Sequence, residues 1–284
     1  MSPRGCFLIA ALLLFLAVHT LAAGLGIFPY LIDETLPLGV TMERTVVVRN
    51  LSPEPKLIEV SLRGLCTTAD GTPMWLDPQG EGPGGAVCEY GAIADVVEVF
   101  PARARVPPYS EAEFKVLIRA PQDWSPLAPA GRAGGIFFRA TSSAEEGNTG
   151  GLFGHQLQVV TLVYVRFAEV SQPECSLRAF QAFPQGQAKV RFSVVLENTG
   201  NVHLPLEGRV IVRDQGSGLE VAELQLSQGV LFPKCTREFT ANWEVPQELC
   251  GTFEAELFIV CGEELEVRDN LQLRVCGGEV KPEG

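Results

Sequence analysis

The chain reads as all-β, two tandem immunoglobulin-like (Greek-key) β-sandwiches, on three observations. Apolar and polar residues alternate at period two through most of its length, with no sustained helical period. Two sets of seven short strand-like runs follow one another, punctuated by Gly, Pro, Asn and Asp. The third observation is an internal repeat. Thr45-Val-Val-Val-Arg-Asn50, Ala112–Pro121 and Gly135-Ile-Phe137 recur in the same order as Ser193-Val-Val-Leu-Glu-Asn198, Arg237–Pro246 and Gly251-Thr-Phe253. Phe114 aligns with Phe239, Ile118 with Trp243, and Pro121 with Pro246.

Residues 1–24 carry the pattern of a secretory signal peptide. Arg4 precedes an apolar run from Phe7 to Val18, and small residues Ala22-Ala23-Gly24 follow where a signal peptidase cuts. Cys6 precedes the apolar run, so it is not a lipoprotein cysteine. No second apolar segment of membrane-spanning length occurs. The expectation is an exported chain, periplasmic or at the cell surface, with no stable membrane insertion after signal cleavage.

In the first sandwich, residues 25–170, alternation predicts strands near 27–31, 43–50, 57–65, 96–100, 113–119, 135–140 and 156–167. The second, residues 174–276, yields strands near 176–180, 188–198, 204–213, 220–226, 236–245, 252–260 and 265–275. Parity assigns the faces. Phe114, Val116 and Ile118 point inward, as do Phe239, Ala241, Trp243 and Val245; Lys115, Arg119, Asn242 and Glu244 face water. Ala168–Glu174 forms a short linker, and residues 277–284 read as a polar tail. One long excursion, near 65–94, is rich in glycine. No Lys-Ser/Thr pair or helix follows its glycines, so it is a surface loop and no phosphate cradle.

Removing the signal changes the charge from 22 basic against 34 acidic residues to 21 against 34, a net of −13. That balance disfavours a nucleic-acid partner and docking on anionic lipid. Catalysis finds little support. Only His155 and His203 remain after signal cleavage, and no nucleophile-elbow, zincin or phosphate-loop motif occurs. The chain therefore reads as non-enzymatic, without a cofactor or a metal site.

Seven cysteines remain in the exported chain, none in a Cys-x-x-Cys pair. Disulfides are the natural reading in an oxidising compartment, with one thiol left over. Cys66 and Cys88 bracket the glycine-rich excursion and are expected to staple it. The last two strands form a hairpin turning at Cys261–Glu264, which sets Cys250 opposite Cys276 within disulfide reach. Cys175, Cys235 and Cys261 fall at the other end, as one pair and one free thiol. Candidate partner-binding residues are Asp70 and Trp75 in the long excursion, and Asp123 and Trp124 in the irregular segment 121–131, because aromatic rings beside carboxylates suit glycans and protein partners.

Leu36-Pro-Leu-Gly39, Val46-Val-Val-Arg-Asn-Leu-Ser52, Thr67-Thr-Ala-Asp-Gly71 and Gly134-Gly-Ile-Phe-Phe138 occur in that order. This series resembles the peptidoglycan-binding domain of bacterial WxL-interacting surface proteins, and more distantly the N-terminal domain of periplasmic pilus chaperones. Leu196-Glu-Asn-Thr-Gly-Asn-Val202 and Trp243-Glu-Val-Pro246 are similar to the second sandwich of the same proteins. The resemblance implies a binding or scaffold protein of the cell envelope, its partner an envelope glycan such as peptidoglycan, or a surface protein. The alternative it implies is a periplasmic chaperone acting by strand donation. Pilus chaperones anchor a client carboxylate with paired basic residues, one on the first strand, whereas Gly24–Asp33 has no Arg or Lys.

Overall fold

The computed structural model describes residues 24–68, 72–85, 87–126, 128–142, 157–186, 188–263, 265–277 and 279–283. The expected signal peptide, apart from Gly24, lies outside them, as do Asp70 and His155. Among the described residues, ten strands build the first sandwich: β1 (Leu25–Phe28), β2 (Leu31–Leu36), β3 (Thr41–Asn50), β4 (Lys56–Thr67), β5 (Pro73–Leu76), β6 (Val97–Phe100), β7 (Arg103–Val106), β8 (Glu111–Arg119), β9 (Gly131–Ser142) and β10 (Leu157–Phe167). One sheet runs β1-β3-β8-β6; the other runs β2-β10-β9-β4-β5, with β7 also on β4.

The second sandwich holds β11 (Cys175–Pro184), β12 (Lys189–Asn198), β13 (Leu204–Asp214), β14 (Glu220–Gln225), β15 (Gly229–Leu231), β16 (Thr236–Glu244), β17 (Cys250–Cys261), β18 (Leu265–Cys276) and β19 (Glu279–Glu283). Its sheets run β11-β12-β16 and β14-β13-β17-β18-β19, with β15 on β13. The architecture is thus all-β, in two immunoglobulin-like sandwiches. No helix among the described residues is long and apolar enough to cross a membrane.

Val46 of β3 lies opposite Phe114 of β8, and the aligned Val194 of β12 lies opposite Phe239 of β16. Asn50 and Asn198, which end the matching strands, are both fully buried. Asn50 donates its side-chain amide to the Glu54 carbonyl at 2.7 Å and accepts the Ser52 N–H at 3.0 Å. Asn198 donates to the Val202 carbonyl at 2.7 Å and accepts the Gly200 N–H at 3.0 Å. An asparagine is needed because one side chain must serve a donor and an acceptor of the turn at once.

The predicted faces match the packing. Phe114, Val116, Ile118, Phe239, Ala241, Trp243 and Val245 are buried, while Lys115, Arg119, Asn242 and Glu244 are exposed. Each sandwich has its own core. Val46, Phe114, Ile136 and Phe138 centre the first, and Phe192, Phe239, Trp243 and Phe253 the second.

Four features depart from the sequence reading. The first strand is broken in two at Pro29, with β1 in one sheet and β2 in the other. Pro29 brings no N–H, which removes one ladder donor at the crossover. The glycine-rich excursion is no loose loop. It forms β5 and three short 3-10 turns, and it buries Leu76, Tyr90 and Ile93. Short β7 and β15 are also unpredicted. Residues 279–283, read as polar tail, pair with β18 as β19 and bury Val280.

Candidate functional site

The feature that positions a site is the incomplete covering of β10. On one side β10 pairs with β9 from Leu157 to Arg166. On the other side β2 pairs with it only from Leu162 to Phe167. Among the described residues, no strand covers Leu157–Val160 on that side. Upstream of Pro29 the backbone of β1 pairs with β3 instead. Two bonds mark where cover begins, from Leu162 N–H to the Tyr30 carbonyl at 2.9 Å and from Thr161 Oγ1 to the Pro29 carbonyl at 2.8 Å.

Alternation then fixes which groups are free. Leu162 turns its N–H towards β2, so Val160 and Gln158 turn theirs the same way. Among the described residues, their amides and carbonyls line a short open edge. Around it Leu157, Val159 and Val160 are half-buried, and Phe28 and Tyr30 are 71% and 70% exposed beside the crossover. An uncovered sheet edge flanked by exposed aromatic rings invites pairing with another chain.

The two sandwiches meet through a polar chain held in an apolar shell. Asp33 on β2 accepts a hydrogen bond from Arg166 on β10 at 3.0 Å. His203, just before β13, places Nε2 3.7 Å from the Asp33 carboxylate, too far for a direct hydrogen bond. Its Nδ1 lies 2.5 Å from Tyr90 Oη, and its backbone N–H donates to the same hydroxyl at 3.0 Å. With the hydroxyl accepting that N–H and donating to Nδ1, the imidazole carries its proton on Nε2, towards Asp33. Leu65, Tyr90, Ala133, Tyr164 and Phe232 pack around this chain as a small third core.

Burial holds the His203 pKa below its ordinary value against the pull of Asp33, so the ring is neutral near pH 7. Burial also pushes the Tyr90 and Tyr164 hydroxyls up. For Asp33, burial acts upward, but His203 and Arg166 outweigh it and keep the carboxyl below 3.8. A cleft of 430 Å³ opens beside this chain, lined by Thr35, Arg166, Ser171, His203 and Glu263 among others. Arg166, in that wall, already has Asp33 as its counter-ion.

The sequence-selected residues fall elsewhere. Trp75 on β5 stands edge-on to Phe137, with ring centroids 4.7 Å apart. A Cβ on Gly135 would sit 3.0 Å from that indole, so the glycine on β9 makes its room. Trp124 packs against both cores, wedged where the sandwiches meet, and its indole N–H is buried. Asp123 is exposed beside it. Trp75 and Trp124 therefore do not converge on one surface. The β10 edge was missed because the alternation of Gln158–Val163 marks a strand without saying how many neighbours it has.

Among the cysteines, Cys250 and Cys276 are opposite in register and joined in a disulfide. The sulfurs of Cys175 and Cys261 are 2.8 Å apart, and those of Cys66 and Cys88 are 2.7 Å apart. Cys235 does not stay with Cys175 and Cys261; it packs at the domain boundary beside Cys88. No group of three or more His, Cys, Asp or Glu among the described residues is arranged to hold a metal ion.

No family model and no curated protein matches the chain, so the resemblance to WxL-interacting surface proteins gains no support. Solved structures similar to it include the class 5 fimbriae chaperone CfaA, at 12% identity and a TM-score of 0.44, covering 87% of this chain and 98% of that one. The structure titled as a chaperone-tip adhesin complex of CFA/I fimbriae biogenesis matches at 11% identity and a TM-score of 0.46, covering 87% and 98%. The E. coli chaperone DraB matches at 10% identity and a TM-score of 0.40, covering 86% and 95%.

Proposed function

We propose that this is an exported, non-enzymatic envelope protein that binds a partner polypeptide by β-strand pairing along the open half of β10, in the manner of a periplasmic chaperone donating a strand. The observation that carries this reading is the edge at Leu157–Val160, unpaired among the described residues and set between half-buried Leu157 and Val159 and exposed Phe28 and Tyr30. Main-chain hydrogen bonds supply affinity in such pairing, and alternate side chains supply selectivity. The fitting client is a β-sandwich subunit short of one strand, whose apolar groove accepts Leu157 and Val159. Glycan binding through Trp75 and Trp124 has weaker support, since one ring abuts Phe137 and the other is wedged between the cores.

The test is site-specific photo-crosslinking in an exporting bacterial host. A photoreactive residue at Gln158 is expected to trap a discrete client of β-sandwich type, whereas the same residue at exposed Glu113 of β8 traps none. Equal crosslinking at both positions, or none at Gln158, contradicts the reading.

A further inference from the structure

Three thiols from two domains lie at one boundary. Cys66 lies buried on β4, and Cys88 precedes a 3-10 turn of the excursion. Cys235 sits in the turn between β15 and β16 of the second sandwich, next to Lys234, which adopts a left-handed φ of 59°. Cys66 Sγ is 2.7 Å from Cys88 Sγ, and Cys235, packed at the same boundary as Cys88, is near enough to Cys66 to push its thiol pKa up. Cys88 and Cys235 pack against the same boundary cluster of Leu65, Tyr90, Ala133, Tyr164 and Phe232. Cys66 thus has two partners within reach and one bond to give.

We propose that Cys66 is the shared partner of two mutually exclusive disulfides: Cys66–Cys88, which staples the excursion within the first sandwich, and Cys66–Cys235, which bolts the two sandwiches together. The odd thiol of an exported chain is then no leftover. It keeps the pair exchangeable.

The chemistry balances with an external disulfide as oxidant, of the class of glutathione disulfide or an oxidised thiol-disulfide oxidoreductase. The Cys235 thiolate attacks that disulfide and forms a mixed disulfide, expelling one thiolate. Cys66 then attacks Cys235 Sγ, closing Cys66–Cys235 and expelling the second thiolate. Two protons and two electrons have left the protein, and the oxidant emerges as two thiols. Cys88 can next attack Cys66 Sγ, which closes Cys66–Cys88, returns Cys235 as a thiol and involves no net oxidation. Cys235 is the fitting first nucleophile. Its partial exposure gives access, and the donated Cys66 thiol hydrogen bond lowers its pKa, while contact with Cys235 raises that of Cys66 to about 11.

The experiment is non-reducing peptide mapping of the full chain after equilibration in glutathione redox buffer and alkylation of the remaining thiols. The wild type is expected to yield both Cys66–Cys88 and Cys66–Cys235 peptides. Cys88→Ser is expected to give Cys66–Cys235 alone, with faster migration on a non-reducing gel because the bond encloses the linker. Cys235→Ser is expected to give Cys66–Cys88 alone. If Cys66 and Cys235 are both alkylated in oxidised Cys88→Ser protein whose circular dichroism matches wild type, the shared-partner proposal is overturned. If that variant does not fold, the wild type decides: an oxidised wild type with Cys66–Cys88 only, and Cys235 fully alkylated at every redox poise, overturns it too.

Discussion

Tyr90 and His203, one from each sandwich, share a hydrogen bond of 2.5 Å from hydroxyl to imidazole Nδ1, and the same hydroxyl accepts the His203 backbone N–H at 3.0 Å. One phenol oxygen therefore satisfies two buried groups of the other domain. The excursion read from the sequence as a surface loop is what delivers it.

Tyr90→Phe keeps the ring packed against Phe232 and removes only the oxygen. It leaves the His203 backbone N–H and Nδ1 buried without that partner, which costs about 1–3 kcal/mol. Urea denaturation at neutral pH is expected to show this loss with an unchanged far-UV spectrum. A change under about 0.3 kcal/mol means water reaches the pair and the interface is looser than described.

The same contact gives a pH dependence with a definite sign. His203 titrates near 6.5 when unfolded and lower when folded, because burial disfavours the charged ring. Between those two values the unfolded chain binds more protons, so stability is full above about 6.5 and falls as pH drops below it, until the folded value is reached. Asp33 is held below 3.8 in the fold, so its contribution stays intact above 3.8 and is lost only at more acid pH. Between about pH 7.5 and about pH 5.5, the wild type is expected to lose stability more steeply than His203→Gln. Parallel slopes in the two proteins contradict the assignment.

Cys175 and Cys261, with sulfurs 2.8 Å apart and 86 residues between them, are poised to tie the first strand of the second sandwich to the end of β17. Peptide mapping of exported protein is expected to recover Cys175–Cys261 alongside Cys250–Cys276. Losing the longer closure by Cys175→Ser is expected to cost roughly 4–5 kcal/mol on the loop-entropy account. Recovery of Cys175–Cys250 instead contradicts the strand order of the second domain.

The second sandwich has its own core and is expected to unfold cooperatively when made alone under oxidising conditions. The fragment 174–284 is expected to be more stable than 174–276 by about 1–3 kcal/mol, because only the longer one carries β19 and buries Val280. Equal thermal midpoints for the two fragments make β19 an ornament of the sheet.

The sandwich architecture was legible because it is written at period two and repeated. Phe114 and Phe239 declare their faces, and Asn50 and Asn198 mark equivalent turns. Cys250 and Cys276 could be placed by counting residues about a hairpin. What could not be read depends on contacts far apart in sequence. Tyr90 looks like any loop tyrosine until His203 is brought to it, and Cys235 looks like a companion of Cys261 until the domain boundary carries it to Cys66. The open edge of β10 escaped for another reason: a strand's composition reports its burial, not its number of hydrogen-bonded neighbours.

That open edge is what the functional reading stands on, and amide hydrogen exchange at Gln158 and Val160 tests it most directly. In the isolated protein these two amides are expected to exchange at least ~100-fold faster than Leu162, whose N–H is bonded to the Tyr30 carbonyl at 2.9 Å. In the client complex trapped at Gln158, Val160 is expected to become as protected as Leu162. Slow exchange at both amides in the isolated protein would mean that the chain covers its own edge, which contradicts strand pairing with a partner.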